Sequence, residues 1–258
     1  MPLSARGRRI GVGGSSAAGN FLPTQVDNII AWYDASYAGS LWQDSSKTVA
    51  AENDTDLVKV WQDRSGHGFD ITNADDNLRP QLKIVGGVNG LLFATDYLVS
   101  SSGVFIGSGD KPHTIITVVE SLSRNTSNYE GIAFLSGTAA NNQNSAIGYN
   151  SDKHWFGGYG QTTKSTTAPT TSLMTLAKKY ASGNVKGYKN NTEIQSVSFS
   201  YSLTSSNLGI GSHLASPGGA TTSITNTKVY EVLFYDRNIT TNELTLIHNY
   251  LASKWSIS

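Results

Sequence analysis

From Ile29 onward, apolar residues come in short runs, nearly all of them closed by Gly, Asn, Asp, Ser or Thr. The runs IIAWYD, VKVWQD, GLLFA, HTIITVVES, IAFLSG, SAIGYN, HWFGGYG, LMTLAKKY, VKGYKNN, QSVSFS, LGIGS and KVYEVLFYD read as strands. Many apolar–polar alternations with turn residues between them predict an antiparallel sandwich or barrel, not βαβ units. HTIITVVES is the clearest buried strand, with Ile115, Thr117 and Val119 on one face and Ile116 and Val118 on the other. KVYEVLFYD alternates less cleanly, though it carries Val229, Val232 and Phe234 beside Tyr230 and Tyr235.

The period changes in ITTNELTLIHNYLASKW. Thr240 followed three residues later by Glu243 makes a capping box, in which each side chain reaches an orphan backbone N–H. Leu244, Ile247, Leu251 and Trp255 then recur at three- and four-residue steps, so a C-terminal amphipathic helix should lay one stripe on the sandwich. Composition agrees with short strands and many turns: of 258 residues, 38% are hydrophobic and 15% charged, and 26 are Gly. No internal repeat or composition shift divides residues 25–258, so they read as one domain.

Residues 1–24 differ. Gly7 to Gly19 contains five glycines, Arg6, Arg8 and Arg9 sit nearby, and large apolar side chains are too few for a core. The segment reads as an extended basic arm that orders only against a neighbour. It carries no apolar h-region after its arginines, so a secretory signal is not expected. No apolar run is long enough for a transmembrane helix. With 19 basic and 19 acidic residues the formal net charge is zero, which gives no global field toward nucleic acid or an anionic membrane. Cysteine is absent, which removes disulfides, thiol catalysis and thiolate metal sites.

The order of several motifs carries a family resemblance. IIAWYDAS is followed by VWQDRSGHG, LRPQL, GLLFATDYLVSS, HTIITVVES, VKGYKNNTEI and LGIGS, and then by KVYEVLFYDRNITTNELTLIHNYLASKW. This set, spanning about residues 29–257, resembles the concanavalin A-like lectin/glucanase superfamily in its laminin G-like branch, which is common in bacterial surface and phage virion proteins. The resemblance implies a jelly-roll β-sandwich. It departs from the family at Phe93-Ala94-Thr95, where Phe-Asp-Gly is usual.

The motifs also have a physical reading. In WQDRSGHG, Asp63 and Ser65 can bond N–H groups of their own turn while Gly66 and Gly68 permit positive φ, giving a self-satisfied loop. Asp63, Asp70, Asp75 and Asp76 could instead offer oxygens to calcium, but they lack EF-hand order, so no cofactor is predicted. Asn190-Asn191 suits a hairpin turn.

Chemistry is sparse. Glucan hydrolases of the superfamily carry Glu-x-Asp-x-x-Glu on one strand, and none of the six glutamates here makes that pair. Glu231 has only Asp236 on its strand segment, at an odd offset that points the two to opposite faces. GVGGSSAAGN is a poor phosphate loop, with no strand before it and no Gly-Lys-Ser/Thr after it. No catalytic residue is named, and a non-enzymatic protein is expected.

Aromatic rings stack on the apolar faces of sugars, and SDKHWFGGYG is the richest aromatic run. Trp155 and Tyr159 share one parity beside His154, which makes the three candidate ligand-binding residues. Their competing assignment is ordinary core. The expectation is a virion structural and adhesion module, a phage head decoration, fibre or tail-associated protein. Its arm would be anchored among other virion proteins through Arg6, Arg8 and Arg9, and the jelly roll would be displayed toward a cell-surface glycan. A homo-oligomer, a trimer by analogy, is expected, with no nucleic-acid partner and no membrane insertion. A free-standing lectin is the alternative, and a glycan-cleaving enzyme stands third.

Overall fold

The computed structural model describes residues 21–100, 106–123, 129–136, 140–150, 152–160, 164–168, 170–204, 207–213, 224 and 226–258. Arg6, Arg8 and Arg9 lie outside the described residues. The described chain folds into two antiparallel sheets of eight strands each and one C-terminal helix. In chain order the strands are β1 (Ile29–Asp34), β2 (Leu41–Trp42), β3 (Val60–Trp61), β4 (Ile71–Thr72), β5 (Gln81–Val85), β6 (Val88–Phe93), β7 (Leu98–Ser100) and β8 (His113–Ser121). They continue with β9 (Tyr129–Leu135), β10 (Ser145–Asn150), β11 (Lys153–Trp155), β12 (Met174–Ala181), β13 (Asn184–Lys189), β14 (Thr192–Ser198), β15 (Leu208–Ile210) and β16 (Thr227–Tyr235), before α1 (Thr241–Trp255).

One sheet runs β14-β13-β12-β8-β16-β6-β5, with β1 also pairing β16; the other runs β11-β10-β9-β15-β7-β4-β3-β2. Neighbours in these orders are often far apart in sequence, so the sandwich is held by long-range pairing. Alternation sorts the central strand β8 as its sequence predicts. Ile115 and Val119 enter the core between the sheets, and Ile116 and Val118 enter a second core on the outer face of the first sheet. The uneven alternation of β16 has a local cause, a register shift between Val229 and Glu231. The bulge inserts a residue and turns the following side chains over.

That second core is what α1 covers. Leu244, Ile247, Leu251 and Trp255 are buried against Trp32, Ile116, Val118 and Leu233. Burying four such side chains contributes on the order of 10 kcal/mol gross, before conformational entropy is subtracted. The capping box forms: the Glu243 N–H donates to Thr240 Oγ1 at 3.2 Å and the Thr240 N–H donates to Glu243 Oε2 at 2.7 Å. Arg237 clamps the same carboxylate with two N–H groups, and these bonds lower the Glu243 carboxyl to about 2. Residues 21–24, assigned to the arm from composition, pack on this layer. Phe21 lies against Tyr250 with ring centroids 6.1 Å apart, and Tyr235 Oη donates to the Pro23 carbonyl at 3.1 Å.

One turn and one close approach follow directly from their residues. Asn190 and Asn191 both take positive φ at the β13–β14 hairpin, which Asn tolerates. Gly187 on β13 lies flat against Phe156, where an added Cβ would sit 2.2 Å from the ring.

Candidate functional site

The segment after β3 is organised by one carboxylate. Asp63 accepts from the Trp32 N–H at 2.9 Å, the Ser65 N–H at 2.8 Å, the Ser65 hydroxyl at 2.8 Å and the Phe69 N–H at 3.1 Å. Gly66 and Gly68 take φ of 95° and 75°, so the loop closes on itself and is tied to β1. Asp70 accepts from the Asp63 N–H at 2.9 Å and pairs with Lys47 at 2.7 Å. Asp75 accepts from the Asn77 N–H at the start of a short 3₁₀ turn, and Asp76 pairs with Arg79 and Lys59. The four aspartates weighed for calcium therefore each serve a local structural bond. Among the described residues, no three His, Asp or Glu side chains group as metal ligands would.

The closed loop carries Arg64 to a fixed place. Its guanidinium lies 4.1 Å from the ring centre of Trp32 and 3.6 Å from that of Tyr37, between the two rings. Nη1 donates to Asp34, at the end of β1. Asp34 also accepts from Lys254 of α1 at 2.8 Å and lies in register with Glu231 of β16. Glu231 is fully buried and accepts from Trp32 Nε1, Trp255 Nε1 and Lys254 Nζ, each at 2.7 Å. Burial raises the Glu231 carboxyl above its ordinary range, and Lys254 opposes the rise. Two carboxylates and the Lys254 ammonium thus form a chain that fixes Arg64 from below.

Above this chain opens a cleft of about 450 Å³, lined by Tyr37, Ala38, Gly39, Ser40, Gln62, Asp63 and Arg64. Tyr37 is 51% exposed although one of its faces rests on Arg64. Among the described residues, Arg64 Nε and Nη2 make no hydrogen bond to the protein. The Gln62 amide nitrogen makes none either, its oxygen being taken by Trp42 Nε1 at 3.4 Å. The cleft therefore offers an open aromatic face beside unspent N–H donors.

A second polar cluster lies inside the sandwich. Lys178 of β12 is fully buried and donates to Ser145 Oγ at 2.7 Å, the Gly157 carbonyl at 2.6 Å and Tyr201 Oη at 2.6 Å. His113 Nε2 lies 2.6 Å from the same Ser145 hydroxyl. Burial pushes Lys178 well below its ordinary value. It lowers His113 to about 3, with the Lys178 charge adding to the effect. A serine between two bases has the parts of a nucleophile and its activator. Lys178, Ser145 and His113 are each 0% exposed, so no substrate reaches them, and their bonds tie β10 and the Gly157 segment to β8 and β12.

The predicted ligand-binding trio is divided by the structure. Trp155 is 1% exposed and packs with Phe134, Ala146 and Tyr129 on the outer face of the second sheet. His154 is 0% exposed, and neither ring presents a face for stacking. Tyr159 alone is open, at 39%. The strand ends at Trp155, so parity no longer relates it to Tyr159. The sequence reading passed over Tyr37 and Arg64. The available signal was an aromatic residue placed within the turn sequence DASYAGS, where no strand face demands one.

No protein-family model matches the sequence, and no curated protein matches it. Solved structures do resemble it. A Trypanosoma rangeli sialidase in complex with 2,3-difluorosialic acid superposes over 88% of this chain and 33% of its own, at 14% identity and a TM-score of 0.56. Domain 4 of AbnA, an extracellular GH43 arabinanase from Geobacillus stearothermophilus in complex with arabinotriose, matches over 84% of this chain and 97% of its own, at 14% identity and a TM-score of 0.52. A chain of botulinum neurotoxin type C, whose cell entry depends on two ganglioside molecules, matches over 87% and 51%, at 11% identity and a TM-score of 0.55. The chain spans about a third of the sialidase and half of the toxin chain, and nearly all of the arabinanase domain. Among the described residues no helix is long and apolar enough to cross a membrane. At these identities the likeness concerns architecture, and the described chain has a two-sheet antiparallel β-sandwich fold.

Proposed function

We propose that this chain is a non-catalytic carbohydrate-binding module that takes its sugar in the Tyr37–Arg64 cleft. The observation that carries the reading is the state of Tyr37: one face rests on a guanidinium, and the other is open above a polar cleft. A ring held in this way loses little freedom when a pyranose stacks on it, and stacking with hydrogen-bond donors at the edge is how sugars are recognised. Arg64 and Gln62 supply those donors. The fold is shared with an arabinanase domain whose structure is in complex with arabinotriose, which supports the same reading.

Catalysis is left out because the carboxylates are spent. Asp63 is saturated by four donors, and Asp34 and Glu231 share the Lys254 ammonium beneath the cleft. Most glycosidases use two carboxyl groups flanking the scissile bond, and the cleft has no free pair to offer. A glycan array with the full chain and Tyr37→Ala tests the proposal. Binding by the first and its loss in the second is expected, and equal binding by both would remove the cleft.

The wider setting we propose is a virion, phage head, fibre or tail, in which residues 1–24 anchor an oligomer and the sandwich is displayed. Its support is the composition of the arm, with Arg6, Arg8 and Arg9 among glycines, and the motif order that resembles laminin G-like modules. Deleting residues 1–20, which spares the Phe21 and Pro23 contacts, should leave a folded, sugar-binding domain that no longer joins its assembly. Normal incorporation of the truncated chain would contradict the anchoring role.

A further inference from the structure

A second cavity, at the other end of α1, has a different character. It measures about 170 Å³ and is lined by Lys179, Asn184, Lys186, Tyr188, Asn238 and Thr241. Lys179 and Lys186 stand directly opposite each other in the β12–β13 register. Like charges in that position repel, and folding places them there only against a cost. The cost is met on one side. Lys186 pairs with Glu193 at 2.9 Å, and Tyr188 Oη also donates to Glu193, at 3.3 Å.

Lys179 has no such partner. It is 7% exposed, lines the cavity, and makes no hydrogen bond or ion pair among the described residues; its nearest favourable contact is the Tyr188 ring centre at 5.9 Å. The other acid nearby, Glu243, is committed to Arg237 and to the Thr240 cap. Burial, with Lys186 next in effect, lowers Lys179 below its ordinary value, and Glu243 and Glu193 oppose the shift from beyond ion-pair distance. The neighbouring groups are donors too. Thr241 is the first residue of a fifteen-residue helix, and its N–H and that of Asn242 have no partner among the described residues. The side-chain amides of Asn184 and Asn238 likewise make no hydrogen bond among the described residues.

We propose that this cavity binds a small tetrahedral oxyanion, phosphate or sulfate, held between Lys179, Lys186 and the N-terminus of α1. Backbone N–H groups and the helix dipole at such a terminus favour negative charge. The cavity has room for one oxyanion, and its lining of cations and N–H donors selects that class. The anion is either free or a charged group on a larger ligand whose remainder lies outside. The site is independent of the Tyr37 cleft, from which the length of α1 separates it.

The full chain is titrated with inorganic phosphate and with sulfate, against sodium chloride at matched ionic strength. Amide resonances of Thr241 and Asn242 and the melting temperature are followed. At tenfold excess over Kd the melting temperature should rise by about 3–5 °C, with saturable shifts at both amides. Lys179→Met keeps the packed stem and should weaken phosphate at least tenfold, while its own melting temperature without anion stays level or rises. Asn238→Ala, at an exposed position, should weaken phosphate severalfold. Glucose 6-phosphate and galactose 6-sulfate separate the sources: binding as tight as phosphate marks a group on a ligand, and binding of the inorganic ions alone marks a free anion. Equal affinity in the wild type and Lys179→Met, or a chloride effect matching phosphate, would overturn the site.

Discussion

The two polar clusters at opposite depths of the sandwich differ in access more than in residue type. Lys178, Ser145 and His113 hold a hydroxyl between two bases, and every member is 0% exposed. Tyr37, Gln62 and Arg64 hold no hydroxyl between two bases, yet they line an open cleft with unspent donors. The inner cluster spends its hydrogen bonds on joining the sheets, whereas the outer one keeps some in reserve. Reactive residue types therefore say little here, and unsatisfied bonding capacity facing a cavity says more.

Breaking the inner cluster should have the largest effect. Lys178→Ala leaves Ser145, Tyr201 and the Gly157 carbonyl short of a donor and opens a void. Chemical denaturation should show a loss of about 3–5 kcal/mol. Glycan binding by the molecules that remain folded should not change. A loss below about 1 kcal/mol would mean that the network does not tie the sheets.

Acid should find the same cluster. Above pH 6.5 His113 is neutral in both states and contributes nothing to pH dependence. Below it the unfolded chain takes a proton that the folded chain refuses until about pH 3, so stability falls as pH drops, by about 2 kcal/mol at pH 5. Lys178 acts with the same sign at higher pH: its depressed folded value makes stability climb as pH rises toward 10.5. Urea denaturation between pH 7 and 5 measures the first slope, and His113→Gln should flatten it.

Smaller effects belong to the helix and the cleft. Thr240→Ala removes the cap that Glu243 completes and should cost about 1 kcal/mol in thermal denaturation. Tyr37→Ala, at an exposed loop position, should change stability by less than about 0.5 kcal/mol while weakening sugar binding at least tenfold. This contrast between stability and binding is what separates the outer cluster from the inner one.

The sequence made the fold legible where a segment carries its own period. The alternation of β8, the stripe and cap of α1 and the Asn190-Asn191 turn are local properties, and the structure repeats them. The two-residue strands β2 and β4 carry too few positions to show a period, and they exist only because β3 and β7 pair with them. The inner cluster escaped notice because Lys178 sits in a strand whose alternation gives no sign that a cation can be enclosed there. Trp155 was misplaced because an aromatic run signals burial and stacking equally, and its environment is set by Phe134 and Tyr129 from β9. The cleft joins Tyr37 after β1 to Arg64 after β3. That approach depends on Asp63, whose four bonds the loop sequence foreshadowed without showing what the loop would carry.

The most direct test is isothermal titration of the wild type, Tyr37→Ala and Tyr159→Ala with an oligosaccharide found by array. The account predicts that Tyr37→Ala loses at least tenfold in affinity while Tyr159→Ala, the other exposed tyrosine among the described residues, binds as the wild type does. Loss in Tyr159→Ala with Tyr37→Ala unaffected would move the sugar site to the far edge of the second sheet and contradict the account.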